Sequence, residues 1–255
     1  MLLAAAFAIA LVLSLVLTPL AIRFAWAVGY LDHPEARKLH TSATALLGGG
    51  AVFVSALLGW LAARGVWGAA SDREVVFMLA GATLAFLLGL WDDRFGMRPS
   101  FKLLGQASAA VALIASGAIP DLGLPVAVNV FVTLLALVAL MNAVNFLDNM
   151  NGMVGGLSAI TLAAFAWASA ARWAFGVAAA QLALAGACAG FLRYNFPRAK
   201  IFLGDAGSLF LGYSLGASAV LAFKNAPPGW GRLGPEVMLA YPAFDMFFVV
   251  VNRLR

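Results

Sequence analysis

Apolar runs of about 20 residues recur from one end of this chain to the other, and no other feature constrains its fold as much. A run of that length crosses ~30 Å of hydrocarbon as a helix. Barrel strands would be about half as long and would alternate polar with apolar residues, which these runs do not. The 255 residues are 64% hydrophobic and 11% charged, whereas a soluble domain is roughly half apolar and a quarter charged. Mean hydropathy is +0.96. The reading is an all-α, polytopic helical membrane protein, a single domain over residues 1–255 with no room for a separate soluble one.

We place about nine transmembrane helices, at roughly 2–22, 45–63, 75–91, 103–120, 126–146, 153–170, 174–193, 202–223 and 236–252. MLLAAAFAIALVLSLVLTPL is read as the first span. It lacks the basic leader and the A-x-A site of a signal peptide. Alternation puts eleven of the 16 Lys and Arg residues on one side, among them Arg37, Lys38, Arg94, Lys102, Arg198 and Lys200. That side is expected to be cytoplasmic, with the N-terminus outside. The sequence pI near 9.8 then reflects basic loops facing an anionic leaflet, and no nucleic-acid partner is expected. Cys188 is alone, so intrachain disulfides and cysteine-based metal sites are excluded. The external loops carry turn formers and scattered charge, and no repeat or inverted half is visible.

Five polar segments fall on the cytoplasmic side: LDHPEARKLH (31–40), WDDRFGMRPSFKLLGQ (91–106), NAVNFLDNMNG (142–152), FLRYNFPRAKIFLGDAGS (191–208) and PAFDMFFVVVNRLR (242–255). They bring Asp92, Asp93, Asp148, Asp205, Asn142, Asn145, Asn151 and Asn195 to one face, although sidedness was assigned from Lys and Arg alone. Two adjacent carboxylates at ~4 Å and an effective dielectric of ~20 repel by about 4 kcal/mol. A divalent cation removes that cost. Carboxylate and amide oxygens without Cys favour a hard ion, Mg²⁺ or Mn²⁺, over zinc. Such an ion completes its shell with water and substrate phosphates, and Lys102, Arg198 and Lys200 also suit phosphate. Phosphoryl transfer at a membrane surface is the chemistry these groups suggest.

Each feature also has a plainer use. Asp92–Asp93 can be a solvated turn. Asn142, Asn145 and Asp148 share a helix face and can simply bond neighbouring helices. Asp205 can cap the eighth span. Asp245, inside the ninth span, can pair with a buried base. His33 and His40 read as loop residues, and Arg37 and Lys38 as topology determinants or lipid-headgroup contacts.

These motifs together resemble the polyprenyl-phosphate N-acetylhexosamine-1-phosphate transferases of glycosyltransferase family 4. The resemblance covers nearly the whole chain. DHPEARKLH with the following GGG is similar to the family's D-x-P-x-x-R-K-x-H loop and glycine pair. WDDRFGMRPSFKLLGQ is similar to its Asp-Asp loop closing on K-x-x-x-Q. NAVNFLDNMNGM and NFPRAKIFLGDAGSLFLG carry the more specific signatures.

The resemblance implies that polyprenyl (undecaprenyl) phosphate attacks the β-phosphorus of a UDP-amino sugar. UMP leaves, and a lipid diphosphosugar forms in the cytoplasmic leaflet for cell-envelope polysaccharide or peptidoglycan. By matching position it implies Asp205 as the Mg²⁺ ligand. It implies Asp92, Asp93 and Asp148 as catalytic residues. Lys102, Asn142, Asn145, Asn151 and Asn195 would bind substrate, and Phe202 would stack on uracil. It also implies a multi-pass protein of the bacterial cytoplasmic membrane that can form a homodimer.

The chain departs from the family pattern in places. Asn151 stands where a second Asp is usual and Asn149 where a Gly is usual, which removes one charge. The proline before the glycine pair is missing near Ala45. Pro242, Asp245 and Arg253 match the family's next span, but the His-rich loop and last helix do not follow, so a C-terminally truncated member is expected. The competing readings are a transporter or flippase for a lipid-linked sugar, and an inactive scaffold of envelope synthesis.

Overall fold

Along the first helix, Ala6, Ala10, Ser14 and Thr18 are buried, while Val12, Val16, Leu20 and Phe24 are exposed. Both sets repeat every four residues, so one helix face is small and inward and the other large and outward. A water-soluble helix does the reverse. In hydrocarbon the bulky face has no reason to hide, and close backbone packing holds the helices together.

The computed structural model describes residues 1–32, 43–67, 73–224, 239–241, 244 and 251. The order is α1 (Leu2–Val28), β1 (Leu31–Asp32), β2 (Thr44–Ala45), α2 (Gly48–Trp67), α3 (Arg73–Phe95), α4 (Pro99–Ala115), α5 (Val126–Leu147), α6 (Met153–Ala170), α7 (Phe175–Asn195) and α8 (Gly204–Lys224). Seven of these helices are long and apolar enough to cross a membrane, and α4 is a shorter apolar helix. The chain is thus an all-helical polytopic membrane protein. Of the expected ninth span only 239–241, 244 and 251 are described; Pro242, Asp245 and Arg253, and the loop holding His33, Arg37, Lys38 and His40, lie outside the described residues.

Two inner helices organise the bundle. α7 packs against α1, α6 and α2, and α8 against α3, α5, α2 and α6, so α2 and α6 bridge the two groups. α4 closes the outer side against α3 and α5. Each inner helix carries small residues four apart. A methyl group on Gly186 or Gly190 would strike the α1 backbone at Phe7 or Leu11, and one on Gly212 would strike Met141 of α5. Such close approach lets helices associate without a hydrophobic driving force. α8 is buried along almost its whole length.

Two boundaries differ from expectation in ways that matter for the site. Asp92 and Asp93 were expected in a loop but occupy the last turns of α3, which runs to Phe95. The loop is short because Gly96 reverses the chain at φ 68, its N–H bonded to the Asp92 carbonyl at 2.9 Å. Pro99 then starts α4 with a ring already suited to a helical first turn. Lys102 therefore lies in the first turn of α4.

Candidate active site

Four helix ends meet at one end of the bundle, and a small strand patch pins them. β1 pairs antiparallel with β2, Leu31 opposite Ala45 and Asp32 opposite Thr44. Ala45 also bridges Ile201 in parallel. The Phe202 N–H donates to the Ala45 carbonyl at 2.8 Å, and the Phe202 carbonyl accepts from Gly48 N–H at 2.9 Å. Gly49 N–H continues the pattern onto the Leu203 carbonyl at 2.8 Å. A methyl group on Gly48 or Gly49 would overlap the 202–207 backbone, which gives the GGG run its physical reason.

At this end the charged groups converge. Lys102 Nζ lies 2.5 Å from Asp205 Oδ2 and 2.7 Å from Asp92 Oδ2, so one ammonium bridges carboxylates of α3 and α8. Asn145 of α5 donates through Nδ2 to Asp205 Oδ1 at 2.7 Å and to Ser208 Oγ at 2.8 Å. Asp93 points differently. Its Oδ1 accepts the Asp205 N–H at 2.8 Å and its Oδ2 the Ala206 N–H at 3.0 Å. The eighth helix is thus capped by Asp93 from α3, not by Asp205, which keeps its own carboxylate for Lys102 and Asn145.

Asp148 follows the last residue of α5. It is half-buried and makes no hydrogen bond or ion pair with another described residue. Desolvation by burial, reinforced by the nearby negative charges of Asp205 and Asp93, holds its carboxyl well above the usual carboxylate range.

Three expected substrate ligands bond other parts of the protein. Asn142 forms a reciprocal amide pair with Gln106: its Nδ2 donates to Gln106 Oε1 at 2.8 Å, and Gln106 Nε2 donates to its Oδ1 at 3.3 Å. This pair crosses from α4 to α5, one turn below the Lys102 and Asn145 contacts. Asn195, 7% exposed, accepts the Gly152 N–H at 2.6 Å and donates to the Ile201 carbonyl at 2.9 Å. A buried amide used at both ends by backbone fixes two loops. Asn151 is exposed and donates to the Pro197 carbonyl at 3.2 Å. The neighbouring Asn149 turns back to the Phe146 carbonyl. In this geometry Asn142, Asn151 and Asn195 bond the scaffold around the cluster. Phe202 is half-buried on the bridging segment, and Arg198 and Lys200 are exposed on the preceding loop.

Two supporting residues escaped the sequence reading. Tyr30 donates its hydroxyl to the Leu90 carbonyl at 2.9 Å and its ring lies under Arg94 at 5.8 Å. Burial, with a further push from Asp93, raises the Tyr30 phenol to about 12. Only its place after α1 could have suggested that role. Gly89 lies where a methyl group would overlap the Asp205 carbonyl, so α3 can press against the first turn of α8. It stands one turn before Asp93, a spacing that was available in the sequence.

No group of three His, Cys, Asp or Glu side chains arranged to hold a metal ion occurs among the described residues. The donors that are present nonetheless suit a hard cation. Asp92 and Asp205 sit on a shared ammonium, leaving one net negative charge, and Asp148 adds a second when ionised. Mg²⁺ commonly takes only one or two carboxylates and fills the rest of its shell with water and phosphate.

Residues 75–223, which include α4 to α8 and nearly all of α3, match the sequence model of glycosyl transferase family 4. The chain is 31% identical, over 98% of its own length and 71% of the relative's, to the probable undecaprenyl-phosphate N-acetylglucosaminyl 1-phosphate transferase of Bacillus subtilis (strain 168). It is 33% identical, over 92% of its length, to the decaprenyl-phosphate N-acetylglucosaminephosphotransferase of Mycolicibacterium smegmatis. It is 29% identical, over 95% of its length, to the undecaprenyl-phosphate alpha-N-acetylglucosaminyl 1-phosphate transferase of Thermotoga maritima. The chain spans 66% of the mycobacterial relative and 72% of the Thermotoga one. Matched across most of its length, and with the matched segment holding every member of the carboxylate cluster, the chain belongs to glycosyl transferase family 4.

Proposed function

We propose that this protein transfers N-acetylglucosamine 1-phosphate from a UDP-amino sugar to a polyprenyl phosphate, at the cytoplasmic face of a bacterial inner membrane. The observation that carries the reading is the meeting of Asp92, Lys102, Asn145 and Asp205, from four different helices, at one end of an apolar bundle. A lipid phosphate can reach that end from the bilayer and a water-soluble nucleotide from the other side. The names of the three relatives supply the sugar and the lipid class.

In this reading Asp205, with Asp92 beside it, would hold Mg²⁺. When bound, the cation neutralises the diphosphate oxygens and supports departure of UMP. Asn145 fixes the Asp205 carboxylate from the side opposite Lys102, so the acid cannot rotate away. The Lys102 ammonium lies within reach of a phosphate that approaches both carboxylates. Asp92 orients the lipid phosphate and accepts its remaining proton if one is present. The lipid oxygen then bonds the β-phosphorus as the bond to UMP breaks. Little covalent work falls to the protein, and positioning with charge neutralisation carries the rate. Asp148, at the rim of the cluster, faces the nucleotide sugar, and Phe202 offers its ring to uracil.

The test is the full-length protein in membranes with labelled UDP-N-acetylglucosamine, polyprenyl phosphate and Mg²⁺. The expected result is a lipid diphosphosugar and an equal amount of UMP, abolished by chelation and by Asp205→Asn. An unchanged rate in Asp205→Asn would remove the metal role. No product with folded, nucleotide-binding protein would leave the scaffold reading.

A further inference from the structure

We propose that Asp93, the second acid of the Asp92–Asp93 pair, is a positioning residue that sets Asp205 through the backbone and does not act on substrate. Adjacent acids in a cluster look like a catalytic pair, but this pair divides. Asp92 turns its carboxylate to Lys102. Asp93 gives each of its oxygens to one N–H of the first turn of α8, those of Asp205 and Ala206. The first N–H groups of a helix have no partner within it, and an acid there satisfies them and complements the dipole. Such a cap usually comes from the residue before the helix. Here neither Leu203, before the helix, nor Gly204, its first residue at φ 74, has a side chain that can accept a hydrogen bond.

The surrounding glycines are consistent with this cap. A methyl group on Gly204 would lie 2.7 Å from Asp93 Oδ2. On Gly89, one turn earlier in α3, it would overlap the Asp205 carbonyl. Both clearances serve the same approach of α3 to the start of α8. The cap also closes the helix N-terminus to other anions. Two of its free donors are taken by the Asp93 oxygens, so substrate phosphate cannot use them. Phosphate charge is left to Lys102 and to the cation. The Gly204–Asp205 dipeptide and the Asp92–Asp93 dipeptide thus form one unit, in which Asp92 and Asp205 face the ligand and Asp93 and Gly204 hold them there.

The test compares Asp93→Asn with Asp93→Ala in the full-length protein reconstituted in nanodiscs. Asn keeps one acceptor oxygen for one of the two N–H groups, turns a donor amide to the other, and carries no charge or titratable proton. Amide hydrogen exchange of the 202–210 segment is read without metal or substrate. The rate and its pH profile are read with them, and only this second arm rests on the transferase reading. Asp93→Ala is expected to speed exchange in that segment several-fold, by about the worth of a cap. It is also expected to lower the rate by about a hundredfold, the scale of a misplaced reacting group. Asp93→Asn, with half of the cap kept, is expected to show exchange and a rate between those of wild type and Asp93→Ala, with an unshifted pH profile. Loss in Asp93→Asn as deep as in Asp93→Ala would overturn the proposal, as would unchanged exchange in Asp93→Ala. Should wild type form no product, the transferase reading fails while the exchange arm still decides the cap. If Asp93→Ala does not fold, Asp93→Gln, whose longer side chain misplaces the acceptor, replaces it with the same expectations.

Discussion

Lys102 and Asp205 form the tightest charged contact at the site, Nζ to Oδ2 at 2.5 Å, and the same ammonium reaches Asp92 at 2.7 Å. One cation from α4 therefore neutralises acids on two other helices. Its removal would leave two carboxylates facing each other. Breaking a fully buried pair costs about 3–5 kcal/mol, and these side chains are still 11% to 32% exposed, so the cost is discounted to ~1–3 kcal/mol. Lys102→Met is expected to lower the melting temperature by several degrees in chelator. Added Mg²⁺ should recover more stability in the variant than in wild type. Melting curves with and without the cation check this, and an equal Mg²⁺ response in both proteins would count against a cation site at these acids.

The amide pair between Gln106 and Asn142 sets α4 against α5 below the cluster. Either single alanine variant leaves the other amide buried and partly unpaired, at a cost of ~1–3 kcal/mol. The double variant is expected to cost less than the sum of the two. A double-mutant cycle on unfolding in mixed micelles measures the coupling. Strict additivity would show that the pair does not hold the helices.

Gly89 and Gly156 are both helix glycines, but only one is crowded. A methyl group at Gly89 meets the Asp205 backbone, while at Gly156 it meets nothing within 4 Å. Gly89→Ala is expected to destabilise by ~1–3 kcal/mol and to depress activity through the displaced Asp205. Gly156→Ala is expected to be neutral or stabilising by up to ~1 kcal/mol. Thermal melting of the two variants side by side checks the ordering.

Asp148 is held protonated to higher pH in the folded protein than in the unfolded chain, through burial first and its acidic neighbours second. Its favourable contribution is full below the unfolded pKa of about 4 and is lost as pH rises through the folded value. Asp148→Asn, which cannot ionise, is therefore expected to melt higher than wild type at neutral pH in chelator. The gap should close as the pH is lowered toward about 4. Melting temperature against pH is the measurement, and a gap that persists at low pH would contradict it.

The sequence readily showed the helices because a spanning helix satisfies its own backbone and needs little beyond length and apolarity. The spans expected at 126–146 and 153–170 agree closely with α5 and α6. Asp92, Lys102, Asn145 and Asp205 were also legible, since their segments fell on one side of an alternating chain. Side-chain partners were not. Asn142 and Asn145 share one face of α5, yet one bonds Gln106 and the other Asp205. The difference arises because α4 crosses at one level and α8 at the next.

The sequence by itself determined an all-helical membrane protein, the family, and a cluster of acids, amides and cations gathered at one end. Tertiary structure alone decided which polar groups remain available there. Asp93 was claimed by the N-terminus of α8, Asn195 by two loop backbones, and Asn142 by Gln106. The reason is physical: a buried donor or acceptor must be satisfied by whatever the packing brings within about 3 Å, and helix rotation and approach set that distance in ways that residue order does not encode locally.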